Sequence, residues 1–200
     1  MAFARANLFS TDRVLRERYR FGTADWTRLY ATLARHHGRG ALVGPKGSGK
    51  TTLLEDLGQR LTQTGRPVTL MRLSAEFPHL PASYNRAFFA NLSQRDALLL
   101  DGAEQLSLVR WLWFRRLTRR AGCVVVTTHR AGRLPLLHRC NTSPELLSEL
   151  VFSLGHTLST TEAEALHRRH HGNIREALRE LYDRYAENNM RPLSFSSPRV

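Results

Sequence analysis

The segment Gly44-Pro45-Lys46-Gly47-Ser48-Gly49-Lys50-Thr51 constrains what this chain can fold into more than any other. It fits the pattern G-x-x-x-x-G-K-[ST] at every fixed position. Ala41-Leu42-Val43, just ahead of it, is a short apolar run suited to a buried strand. Behind it, Leu53, Leu54, Leu57 and Leu61 fall at helical spacing in the stretch Thr51 to Leu61. The prediction is therefore strand, glycine turn, helix. Glycines let successive backbone N–H groups converge on one anion, and the helix start adds partial positive charge. Of the 30 Lys+Arg residues, only Lys46 and Lys50 are lysine, and both lie in this loop. A lysine there, in a chain that otherwise uses arginine, argues for a specific phosphate contact rather than a generic charge.

That reading makes Gly44, Pro45, Lys46, Gly47, Ser48, Gly49, Lys50, Thr51 and Thr52 the expected cradle for a nucleotide, ATP, with Lys50 reaching the β- and γ-phosphates. The Thr51 hydroxyl is expected to ligate Mg²⁺. The second metal candidate is Asp101, which ends the apolar run Ala97-Leu98-Leu99-Leu100. A near-continuous apolar run is what a parallel strand covered on both faces looks like, and its C-terminal edge faces the ligand crevice in an open α/β sheet. Hydrolysis also needs a group that orients water. Gly102 follows Asp101, so the next acid, Glu104, is the candidate; the alternative is that Glu104 only opens the next helix, where acids are favoured. A further β-rich run, Cys123 to His129, would bring Thr127, Thr128 or His129 beside the γ-phosphate if it lies between the two preceding strands. Pro67 to Leu73 reads as another strand, whereas Glu76 to Asn91 is less regular.

Near the C-terminus, Thr161 and Glu164 form a capping-box pattern, and a break at Gly172-Asn173 precedes a helix whose apolar face is Ile174, Ala177, Leu178, Leu181, Tyr182 and Tyr185. Taken in chain order, the glycine loop, the Leu-Leu-Leu-Asp101 strand, the Val-Val-Val-Thr-Thr strand and the late Gly-Asn173-Ile-Arg175 resemble an AAA+ or STAND-type P-loop ATPase of the ASCE class. The resemblance spans roughly Arg39 to Tyr185. It implies an α/β fold, with a five-stranded parallel sheet flanked by helices and a short C-terminal helical lid. It identifies Gly49, Lys50 and Thr51 with Walker A and Asp101 with Walker B. It sets Thr128 or His129 near sensor 1 and makes Arg175 the sensor 2 arginine that contacts the γ-phosphate. Lys50, Glu104 and Arg175 are then the expected catalytic residues. The expected organisation is an N-terminal segment over 1–38, a core over 39–155, a lid over 156–187 and a fraying tail over 188–200.

The net charge of +13 and pI near 11.2 favour an anionic partner. Nucleic acid is one such partner, through the clusters Arg115, Arg116, Arg119 and Arg120 or His167 to His171. The first cluster ends a helical stretch, Ser107 to Arg120, whose stripe of Leu108, Trp111, Leu112 and Leu117 reads as core-covering; an arginine finger toward a second subunit is the other possibility, so a homo-oligomer or protein partner stays open. No apolar run is long enough for a membrane helix, the start lacks an apolar leader, and Cys123 and Cys140 fit free thiols in a reducing cytoplasm. Gly102 in place of an acid keeps a second function in view, a slowly hydrolysing or non-hydrolysing nucleotide-dependent switch that holds nucleic acid or protein. A small-molecule kinase on the same loop fits the Asp-Gly-Ala-Glu104 and Gly-Asn-Ile-Arg175 segments less well.

Overall fold

The structure, a computed structural model, describes residues 21–190, with side chains described through residue 187. The first 20 residues of the expected N-terminal segment and the tail beyond 190 lie outside the described residues. The chain divides into two compact units, with the boundary between Asn141 and Thr142.

In the first unit, helix α1 (Thr23–Arg35) leads into strand β1 (Arg39–Val43), then helix α2 (Lys50–Gln63) and strand β2 (Val68–Arg72). A short helix α3 (Arg86–Ala90) precedes strand β3 (Ala97–Asp101). Helix α4 (Leu108–Leu117), strand β4 (Cys123–Thr128) and strand β5 (Leu136–Arg139) complete it. The five strands form one sheet in the order β2-β3-β4-β1-β5, and every pairing is parallel. The strand of Cys123 thus lies between the strands of Val43 and Asp101, the condition set by the sequence.

Period-two alternation sends neighbours on each strand to opposite faces. Leu42, Leu99, Cys123 and Val125 pack with Trp26, Leu29 and Leu33 of α1 and with Leu53, Leu54 and Leu57 of α2. Val43, Leu98, Leu100, Val124 and Val126 pack with Phe89 of α3 and with Trp111 and Phe114 of α4. Both faces are covered, so β3 from Ala97 to Leu100 and β4 from Cys123 to Val126 are apolar without a break. Arg39 ties the sheet to the end of α4: its guanidinium donates to the carbonyls of Thr118, Arg119 and Ala121 at 2.8–3.1 Å, satisfying oxygens that a helix end leaves open.

Helix α4 departs from its sequence reading. Trp111 and Phe114 face the core, while Leu108 and Leu112 point outward at 68% and 53% exposure. The helix is apolar around most of its girth, so apolar spacing alone does not say which side is covered.

The second unit contains helices α5 (Pro144–Ser153), α6 (Thr160–Arg169) and α7 (Ile174–Met190). Their shared core is Leu147, Val151, Leu154, Leu166, Ile174, Ala177, Leu178 and Leu181. The cap of α6 is Ser159, whose hydroxyl accepts from the Glu162 N–H at 3.2 Å; Thr161 lies inside the helix. Asn173 caps α7 by accepting from the Glu176 N–H at 3.3 Å, and Gly172 before it has φ +78°.

Candidate functional site

The loop between β1 and α2 is built on backbone that only glycine adopts freely. Gly47 and Gly49 have φ of +77° and +79°, the left-handed region. Gly44 is needed for a different reason: a Cβ there would lie 2.2 Å from the Cys140 carbonyl oxygen and 2.6 Å from the Ser48 hydroxyl. The Gly44 N–H reaches the Thr128 carbonyl at 3.3 Å, which anchors the loop to the end of β4.

Lys50 is buried, with its ammonium donating to the carbonyls of Gly44 and Pro45 at 2.9 and 2.7 Å. The loop therefore wraps a positive charge at the start of α2. The Ser48 hydroxyl is buried within the loop and has no protein partner. Pro45 and Lys46 are exposed, and Thr52 is half-buried in the first turn of α2.

Thr51 brings the loop to β3. Its hydroxyl donates to Asp101 Oδ2 at 2.9 Å across fifty positions of sequence. The other carboxylate oxygen, Oδ1, accepts from the Thr127 hydroxyl at 2.5 Å, and Thr127 Oγ1 in turn accepts from the Gly102 N–H at 2.8 Å. Thr127 is 1% exposed. A fixed carboxylate flanked by two hydroxyls results, made by the ends of α2, β3 and β4. The residues alone offer Thr127, Thr128 and His129 together, and the resemblance sets Thr128 or His129 near sensor 1; the residue that reaches Asp101 is Thr127. Strand alternation separates them: the Thr128 hydroxyl turns to the Arg130 carbonyl at 2.9 Å instead.

Gly102 explains why no acid follows Asp101. It has φ +83°, and a Cβ there would sit 2.4 Å from the Leu73 carbonyl oxygen. The chain then makes a 3₁₀ turn over Ala103–Gln105 that carries Glu104. Glu104 Oε1 lies 3.3 Å from His129 Nε2, and its Oε2 is buried without a protein partner. The turn thus returns the acid to the C-terminal edge of β4.

Within the first unit the structure joins Thr51 to Asp101 and Thr127, ties Gly44 to the Thr128 carbonyl, and pairs Glu104 with His129. Arg175 belongs to the second unit, where it is exposed in the first turn of α7. Among the described residues no group of three or more His, Cys, Asp or Glu has metal-holding geometry, and no helix is long and apolar enough to cross a membrane.

The donor set suits a magnesium nucleotide. A hydroxyl and a carboxylate are hard oxygen ligands of the kind Mg²⁺ takes alongside waters and phosphate. The orphaned Ser48 hydroxyl and the Lys50 ammonium are donors for an anion held by the glycine loop. No family model matches the chain, and no curated protein matches it.

Proposed function

We propose that this chain binds ATP with Mg²⁺ and hydrolyses it, as a P-loop ATPase of the AAA+ or STAND-like kind. The observation that carries the reading is the 2.9 Å bond between Thr51 and Asp101. It couples the residue after the loop lysine to the carboxylate that ends the neighbouring apolar strand, as a shared metal site requires. Lys50 and the loop N–H groups would neutralise the phosphates, the Thr51 hydroxyl would ligate the metal, and Asp101 would hold it through its water shell. The ion itself draws charge from the γ-phosphate when bound.

Glu104 orients water through its unpartnered Oε2, while His129 fixes Oε1 and so the plane of the carboxylate. The strand order supports this assignment, because β4 delivers Thr127 and His129 to the same edge as Asp101. Arg175, from the second unit, is the residue we assign to reading γ-phosphate occupancy, on the resemblance of Gly172-Asn173-Ile174-Arg175 to a sensor segment. Cytoplasmic location and a nucleic-acid, oligomeric or protein partner belong to the same reading.

The test is turnover by the wild type and by Glu104→Gln. The amide keeps the shape and loses the base, so turnover falls on the order of 10²-fold or more while ATP binding persists. Equal rates would remove Glu104 from the mechanism. They would favour the second reading, a slow nucleotide-dependent switch, which the pairing of Glu104 with His129 also accommodates.

A further inference from the structure

Beside Glu104 the surface opens into a groove of about 630 Å³ between α4 and the segment 128–133 that leaves β4. Its walls are of two kinds. Leu108 and Leu112, one helical turn apart, form an aliphatic side, and both are more than half exposed. Arg115, Arg130 and Arg133 form a cationic side. The single acid in the lining, Glu104, is paired with His129. Arg133 is held in place, donating to the Leu106 carbonyl at 2.6 Å with its guanidinium 5.3 Å from the Trp111 ring. Val109 and Trp113, 76% and 51% exposed, continue the apolar stripe onto the next face of α4.

An apolar stripe on a helix of nearly three turns, bordered by arginines, is complementary to a segment with the opposite charge and the same apolar repeat. We propose that this groove docks an acidic, leucine-bearing amphipathic helix from another protein. Charge chooses among the occupants. A second copy of this chain brings the same +13 excess and is repelled. Nucleic acid would satisfy the arginines, but three of the four exposed apolar side chains on α4 are aliphatic and offer no ring face for a base. A protein helix uses both: its leucines cover Leu108 and Leu112 while its carboxylates meet Arg115 and Arg130. Docking there touches Glu104 and the end of β4, so the partner sits against the turn that carries the proposed catalytic acid. The docking itself does not depend on the nucleotide reading.

The experiment titrates full-length protein, without nucleotide, against three labelled probes. The first is a synthetic helix of about five turns with Leu at i, i+3, i+4 and i+7 and Glu elsewhere. The second replaces every Glu by Lys, and the third is an oligo-dT of similar length. Anisotropy of the probe and the protein's tryptophan fluorescence, to which Trp26, Trp111 and Trp113 contribute, report binding. The acidic peptide is expected to bind saturably, and Leu112→Glu and Arg130→Glu each to weaken it by about tenfold or more, whereas the lysine peptide does not bind. Leu112 and Arg130 are surface residues, and circular dichroism checks that both variants fold. Equal binding of the two peptides, indifference to both substitutions, or failure of the acidic peptide to bind overturns the proposal. Displacement of the peptide by tighter-binding oligo-dT would make the groove a nucleic-acid surface and also overturn it.

Discussion

Thr127 makes two hydrogen bonds at once, donating to Asp101 and accepting from the Gly102 N–H. Valine has nearly the same shape and can do neither. Thr127→Val therefore leaves a buried N–H without its acceptor and one carboxylate oxygen without its donor. An orphaned buried group costs about 1–3 kcal/mol, so urea denaturation should show a loss of that size. Thr127→Ser, which retains the hydroxyl, should recover most of it. Several of these residues were legible in the sequence because their chemistry is tied to fixed spacing: Gly44, Gly49, Lys50 and Thr51 form one pattern, and Asp101 ends one apolar run. Thr127 was not separable from Thr128 and His129, since which of three adjacent polar residues faces a carboxylate is decided by the register of β4 against β3. The orphaned hydroxyl of Ser48 left no trace in sequence, because serine fills a variable position of the pattern.

At the scale of elements, the turn after β3 is the place where one residue dictates the route of the chain. Gly102 combines a left-handed φ with a backbone carbonyl 2.4 Å from any Cβ. Gly102→Glu would install an acid directly after Asp101. It should nonetheless destabilise the protein by more than about 1 kcal/mol, read as a lower unfolding midpoint, and should not raise turnover. A faster and equally stable variant would mean that the turn is softer than described. Strands β3 and β4 were readable because they are covered on both faces and hence apolar up to their polar C-terminal residues, and β2, a half-buried edge strand, by its run of Val68, Leu70 and Met71. Strand β5 was not singled out. It is four residues at the sheet edge, with Leu136 exposed and Arg139 at its end, and its register against β1 shifts between Ala41 and Leu42. Helix α3 is five residues long and too short to show a period. The start of α6 was misread by two positions because Ser159, Thr160 and Thr161 are all competent caps, and packing of Ala163 and Leu166 picks the phase.

Across the whole molecule, each unit has its own electrostatic anchor. In the helical unit Glu180 accepts from His170 Nε2 at 2.5 Å and also pairs with Arg169 and Arg184. Burial alone would raise its carboxyl, but the hydrogen bond from His170 and the charges of Arg184 and Arg169 outweigh it and hold the group below the usual glutamate value of 4.5. A carboxyl depressed in the folded state adds stability that is present above about pH 4.5 and fades as pH falls through the lower folded value. Amide-exchange protection over Thr160–Met190 should therefore exceed that of Glu180→Gln at pH 7, with the difference closing below pH 4.5. A difference that persists unchanged into acid would mean that packing, not charge, holds the helices. In the sheet unit the anchor is the loop lysine and the carboxylate that Thr51 links to it. Calorimetric titration of ATP in Mg²⁺ into wild type, Lys50→Ala and Asp101→Asn tests that claim most directly. One ATP per chain is expected, with affinity lower by about tenfold or more in Lys50→Ala and loss of the Mg²⁺ dependence in Asp101→Asn. Absence of ATP uptake by the folded wild type, or undiminished uptake by Lys50→Ala, would contradict it.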